Sequence, residues 1–220
     1  HEAEEFLDEV PNKVPYMGTS CCPAWLSMVE KMFPDQARYI SDTSTPMIAT
    51  AQFIKKRDEK AKVVFIGPCI AKKLEALGEK VHKYVDFVIT FEELMGLFVS
   101  RGIEVSELEV DYKIQDASTL GRGFASAGGV AKAVRKVAEE MDPSRVVQIE
   151  NANGLHECVK LMKLAKAGKK NGMLLEGMAC PGGCIGGPGT IISIQRAQKA
   201  LNEFCAEAEV ATPTQNSRIK

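Results

Sequence analysis

Four short apolar runs constrain this chain more than any other feature. "KVVFIG" (62–67), "VDFVIT" (85–90), "RVVQIE" (145–150) and "GMLLEG" (172–177) are nearly continuous in Val, Ile, Leu and Phe rather than alternating with polar residues. Such runs suit strands buried on both faces, the situation of a parallel sheet whose crossovers are helices. Four other segments carry one apolar stripe at helical spacing. They are Trp25, Met28, Val29 and Met32; Val130, Val134, Val137, Ala138 and Met141; Leu155, Cys158, Val159, Met162 and Ala165; and Ile194, Ala197, Leu201, Phe204 and Cys205. "FEELMGLFVSRG" ends on a glycine suited to a helix C-cap. The expected class is α/β, mainly parallel sheets with flanking helices.

Of seven cysteines, Cys158 and Cys205 fall on helical stripes, where a free thiol acts as a small hydrophobe. The other five do not. Cys21 and Cys22 stand side by side in "TSCCPAW", Cys69 follows the first strand, and Cys180 and Cys184 follow the last in "GMACPGGCIGGPGT". Ligands of open α/β sheets bind beyond the carboxyl ends of strands, where Cys69 and the Cys180/Cys184 pair are expected. Pro23 suits the first position of a helix, which puts Cys21 and Cys22 at its N-terminus, a setting that favours thiolate. An iron–sulfur cluster accepts thiolates from scattered loops and N–H donors around its sulfurs. Zinc is an alternative, but its usual C-x-x-C knuckle is absent. Four cysteines suffice for a cubane, and one of the adjacent pair is spare.

The odd cysteine count and the lack of a secretory leader favour reduced thiols and a cytoplasmic setting. With 28 basic and 29 acidic residues, and no apolar run near membrane-spanning length, neither a nucleic acid nor a membrane is an expected partner. "HEAEEFLDEV" reads as a helix entered abruptly, so the chain is expected to be part of a longer protein. The polar tail "TPTQNSRIK" is expected to fray. His82 and His156 are expected to be surface or core residues without a role.

"TSCCPAW", "GPCIAKKLEA" and "GMACPGGCIGGPG" occur in the order and approximate spacing of the three signature motifs of iron-only (di-iron) hydrogenases. With "VDFVITFEEL" and "GRGFASAGGV" between the second and third, the resemblance covers most of the chain. It implies the C-terminal portion of the catalytic domain (residues 1–220), two lobes around a buried iron–sulfur site, and upstream relay-cluster domains outside this sequence. The implied cofactor is a 4Fe-4S cubane on Cys22, Cys69, Cys180 and Cys184. Cys184 would bridge to a di-iron subcluster with CO and CN ligands and a bridging dithiolate. Cys21 would stay a free thiol that passes protons. The resemblance also implies that Lys72 contacts a cyanide, that Glu75 lies near that lysine, and that Phe124 and Met178 line the di-iron pocket. Ser41, with Glu4 or Glu5, would lead protons to the surface.

The implied activity is reversible hydrogen production, with ferredoxin-type electron carriers and maturation factors as partners. Gly67 departs from the methionine of the best-known members, "GGPG" replaces the more common run of glycines, and the chain is shorter between "RVVQIE" and "GLHECV". These departures resemble less-studied subgroups of the family. Two other readings therefore stand beside the enzyme: a hydrogenase-like sensory protein, and a non-enzymatic iron–sulfur assembly protein that holds the cubane alone.

Overall fold

The computed structural model describes residues 1–109 and 116–216. Two separate parallel sheets form two lobes. In the larger, strands β1 (Met17–Gly18), β5 (Met173–Met178) and β4 (Gln148–Asn153) lie in the order β1-β5-β4. In the smaller, β2 (Val64–Ile66) pairs with β3 (Phe87–Ile89). The α/β expectation with parallel pairing holds in both.

The central strand β5 explains the larger core. Leu174, Leu175, Glu176 and Met178 are all buried, as a strand covered on both faces must be. On one side, α2 (Pro23–Met32) lays the Trp25 ring against Gly177, where a side chain would collide with it. α7 (Gly129–Met141) and α8 (Leu155–Lys166) bury Val130, Val134, Ala138, Cys158, Met162 and Ala165 into the same core. Each sheds one end of its predicted stripe, since Met141 and Leu155 are exposed, and so is Met32 on α2. The smaller core gathers Met47 and Ala51 of α3 (Pro46–Arg57), Val63, Ala76 of α4 (Ala71–Ala76) and Val85.

Three sequence expectations are corrected. β4 begins three residues later than the apolar run suggests: Val146 is 85% exposed, and the polar "ENAN" carries the ladder to β5. An edge strand paired on one side needs no continuous apolar run. α9 (Ile194–Ala206) buries only Ala197, while Phe204 is exposed and Cys205 half-buried, so its stripe does not enter a core. The tail is not frayed at its start, because Thr212 and Asn216 are buried around a 3-10 turn, Pro213–Gln215. Residues 217–220 lie outside the described part. No helix among the described residues is long and apolar enough to cross a membrane.

Candidate metal centre

All three cysteine segments leave the carboxyl ends of parallel strands. β1 ends at Gly18 before Cys21 and Cys22, β2 at Ile66 before Cys69, and β5 at Met178 before Cys180. The two-residue β1 is too short to be legible in the sequence, yet it brings the cysteine pair to the same end of the sheet as Cys180. Thr19 N–H donates to Leu175 O at 2.8 Å and extends that junction.

Cys22, Cys69, Cys180 and Cys184 line one cavity of about 540 Å³ between the lobes, walled also by Met178, Ile70 and Leu74. Cys21 faces a different cavity, of about 330 Å³, shared with Glu2, Ser20, Thr43 and Phe124. Cys22 is the extended N-cap of α2 with Pro23 as first helical residue, so neighbouring side chains project to opposite sides. Phe124 and Met178, expected to line one pocket, are thus found in two adjoining ones.

The glycines of the third motif close the loops on one another. Gly183 has φ +87°, and a Cβ there would stand 2.5 Å from Ala127 N. Gly187 lies against Pro68 O, and Gly189 N–H donates to that same oxygen at 2.9 Å. Gly182 N–H is taken by Asn153 Oδ1 at 2.6 Å. Third motif, second motif and residues 126–127 therefore form one rigid seam. Beside Gly67, the Phe65 ring fills the space a longer side chain would take.

The thiols are poorly suited to be bare anions. Burial pushes Cys184 up to about 12, with the neighbouring Cys69 and Cys22 adding to it. Burial likewise raises Cys180 and Cys69, although the N–H groups of Lys72 and Ala71 partly offset it at Cys69. Cationic iron removes this penalty by binding the thiolates directly. Among the described residues, no three His, Cys, Asp or Glu side chains converge as ligands of a single ion. Four thiols spread around a wide cavity fit a polynuclear cluster better than zinc. For Cys21 the expected thiolate is corrected: burial, then the carboxylates of Glu176 and Glu2, hold it well above the ordinary thiol range.

Lys72 fits an anionic neighbour. Its side chain is 8% exposed and Glu75's 10%, with Nζ 2.7 Å from Glu75 Oε2. Neither atom is aligned for a hydrogen bond despite that distance, which leaves a buried ammonium with unused donors.

Of Glu4 and Glu5, only Glu5 bonds Ser41. Glu5 Oε2 accepts from Ser41 Oγ at 2.5 Å, whereas the side chain of Glu4 is 56% exposed and pairs with His1. Glu2, one helical turn before Glu5 on α1 (Glu2–Glu9), was missed. It accepts from Ser20 N–H at 3.2 Å, and burial pushes its pKa up to about 7. The i, i+3 spacing of Glu2 and Glu5 was the available signal. Glu176 was missed too. Fully buried on β5, it accepts the N–H groups of Gly128 at 2.8 Å and Ala131 at 2.6 Å, at the N-terminus of α7. Cys158 is buried as expected, and His82 and His156 are exposed.

Comparison with known proteins agrees with this architecture. Iron hydrogenase 1 of Clostridium pasteurianum is 28% identical over 86% of this chain and 40% of its own length. The NADP-reducing hydrogenase subunit HndD of Solidesulfovibrio fructosivorans is 30% identical with the same coverage, so the chain spans well under half of these relatives. The cytosolic Fe-S cluster assembly factor NAR1 of Kluyveromyces lactis is 29% identical over 66% of the chain. Among solved structures, apo [FeFe]-hydrogenase HydA1 from Chlamydomonas reinhardtii, variant C377H, superposes with a TM-score of 0.75 over 99% of this chain and 74% of that one. At 24% identity it shows the fold alone. The profile described as iron only hydrogenase large subunit, C-terminal domain, matches residues 1–188, and the chain belongs to that family.

Proposed function

We propose that Cys22, Cys69, Cys180 and Cys184 hold a cubane iron–sulfur cluster, that Cys184 also links to a di-iron unit, and that the whole protein makes or oxidises hydrogen. What supports this most is the partition of five thiols: four around one cavity between the lobes, the fifth in the cavity next door. When bound, the di-iron unit would supply the vacant metal position where protons and electrons combine. Ferredoxin-type carriers would exchange the electrons, and maturation factors would deliver the unit.

The chain's own residues serve the proton side. Cys21, kept protonated by its surroundings, offers a proton at Sγ. Glu2, brought near neutrality by burial, receives and returns it. Ser41 Oγ, bonded to Glu5, continues the route toward the surface. Lys72, held by Glu75, would offer its ammonium to an anionic cyanide ligand of the di-iron unit when that unit is bound.

The deciding experiment uses the full-length protein matured without oxygen. Infrared bands of bound carbonyl and cyanide together with hydrogen turnover are expected. Cys21→Ala should keep its iron and lose at least about a hundredfold of turnover. Undiminished hydrogen production by that variant would refute the role of Cys21. The resemblance to assembly factors supports a second reading, a cubane held without the di-iron unit. A stable cubane with no carbonyl or cyanide bands after maturation would favour it. Intact bands with very slow turnover would favour a sensory protein.

A further inference from the structure

Thr43 has no part in the scheme above, yet it bonds the same carboxylate oxygen as Ser41. Thr43 Oγ1 donates to Glu5 Oε2 at 2.9 Å, Ser41 Oγ donates to that oxygen at 2.5 Å, and Asp42 N–H takes Glu5 Oε1 at 2.9 Å. The two hydroxyls differ in surroundings. Ser41 is buried and borders a small cavity of about 130 Å³. Thr43 is half-buried and lines the larger cavity that also holds Glu2, Ser20 and Cys21. Its backbone is fixed there: Ser20 Oγ donates to Thr43 O at 2.6 Å, and Thr43 N–H donates to Ser41 Oγ at 3.1 Å. The segment that carries the cysteine pair is thus tied directly to Thr43.

We propose that Thr43 is a second proton-passing hydroxyl on Glu5, parallel to Ser41, which opens the relay into the Cys21 cavity. The proposal rests on the functional reading above, since a protein that makes or oxidises hydrogen must move protons between this cavity and the surface. A hydroxyl has one donor and two acceptor positions, so it can donate to Glu5 while accepting from water. Most of this cavity is apolar, but Glu2, Ser20 and Thr43 adjoin one another on its wall through hydrogen bonds, and there is room for water beside them. The Thr43 O–H proton passes to Glu5 Oε2 as the Thr43 oxygen takes a proton from a cavity water, and that water takes one from the Glu2 carboxyl on the same cavity wall. The hydroxyl is restored, only O–H bonds are made and broken, and one proton has moved. The reverse order carries a proton inward.

The test compares Ser41→Ala, Thr43→Val, the double variant and Ser41→Ala with Thr43→Ser in the mature full-length protein. Ser41→Ala alone should stay within about tenfold of the parent, while the double variant should fall by about a hundredfold or more. Serine at 43 should recover the level of Ser41→Ala, which a packing role of the threonine methyl would not allow. In the cluster-free full-length chain, the 13C signal of the Glu5 carboxylate should move partly in each single variant and furthest in the double. Ser41→Ala as inactive as the double variant, or a Glu5 signal indifferent to Thr43→Val, overturns the proposal. Absence of turnover in the unmutated mature protein overturns the functional reading and the relay with it.

Discussion

Replacing Glu2 with glutamine should make the cluster-free protein more stable, by an amount that grows as pH rises and is full at neutral and higher pH. Burial is the largest influence on Glu2. It moves the carboxyl from 4.5 to about 7, against the opposing Ser20 N–H and with help from Glu5 and Glu176. An acid raised on folding contributes stability that is complete below its unfolded value and is lost as pH climbs through its folded value. The window is therefore about pH 4.5 to 7. A shift of about 2.5 units at about 1.4 kcal/mol each sets a ceiling near 3.5 kcal/mol. The side chain is partly exposed, so water screening lowers this to roughly 1–3 kcal/mol. Glutamine keeps the shape and can still accept from Ser20 N–H, but it does not titrate. Urea midpoints should nearly coincide at pH 4, and the variant should unfold later at pH 8, by about 0.3–1 M for a slope near 3 kcal/mol/M. A stability difference that does not change between these two pH values would refute the reasoning.

Other substitutions probe the remaining buried charges and the thiols. Glu176→Gln leaves one of the Gly128 and Ala131 N–H groups facing an amide nitrogen. It should cost about 2–4 kcal/mol in urea unfolding, since an orphaned buried donor and a lost charge-assisted bond add. Lys72→Ala strands the Glu75 carboxylate and should cost about 3–5 kcal/mol, whereas Lys72→Met with Glu75→Leu should restore most of it, as thermal unfolding of both variants would show. Cys180→Ala should lower iron and sulfide content after anaerobic reconstitution, while Cys205→Ala, on the outer helix, should leave both unchanged.

Where the sequence was legible, periodicity or a dense motif carried the signal. β5 follows its apolar run because a central parallel strand buries both faces, whereas β2 and β3 lie within theirs although Val64, Ile66 and Phe87 are exposed, so the smaller sheet is not covered on both faces. β4 was misplaced because an edge strand can carry "ENAN", and β1 was missed because two residues have no period to read. The gathering of four thiols was foreseeable from strand ends plus motif order. The pairing of Ser41 with Glu5 was only half legible, since its partners lie 36 positions apart and meet through tertiary packing. Glu176 did leave a mark: a charge inside "MLLEGM" contradicts an otherwise apolar strand. Such a conflict between pattern and residue signals a buried partner, here the first turn of α7.

The wall between the two compartments at the cysteine pair is a single peptide unit, since Cys21 and Cys22 open onto different sides of it. Inserting one residue between Cys22 and Pro23 would shift both cysteines by half a pleat and exchange the sides they face. The doublet therefore tolerates no slippage: its reading frame, more than its thiol count, gives each of the two cavities its own thiol.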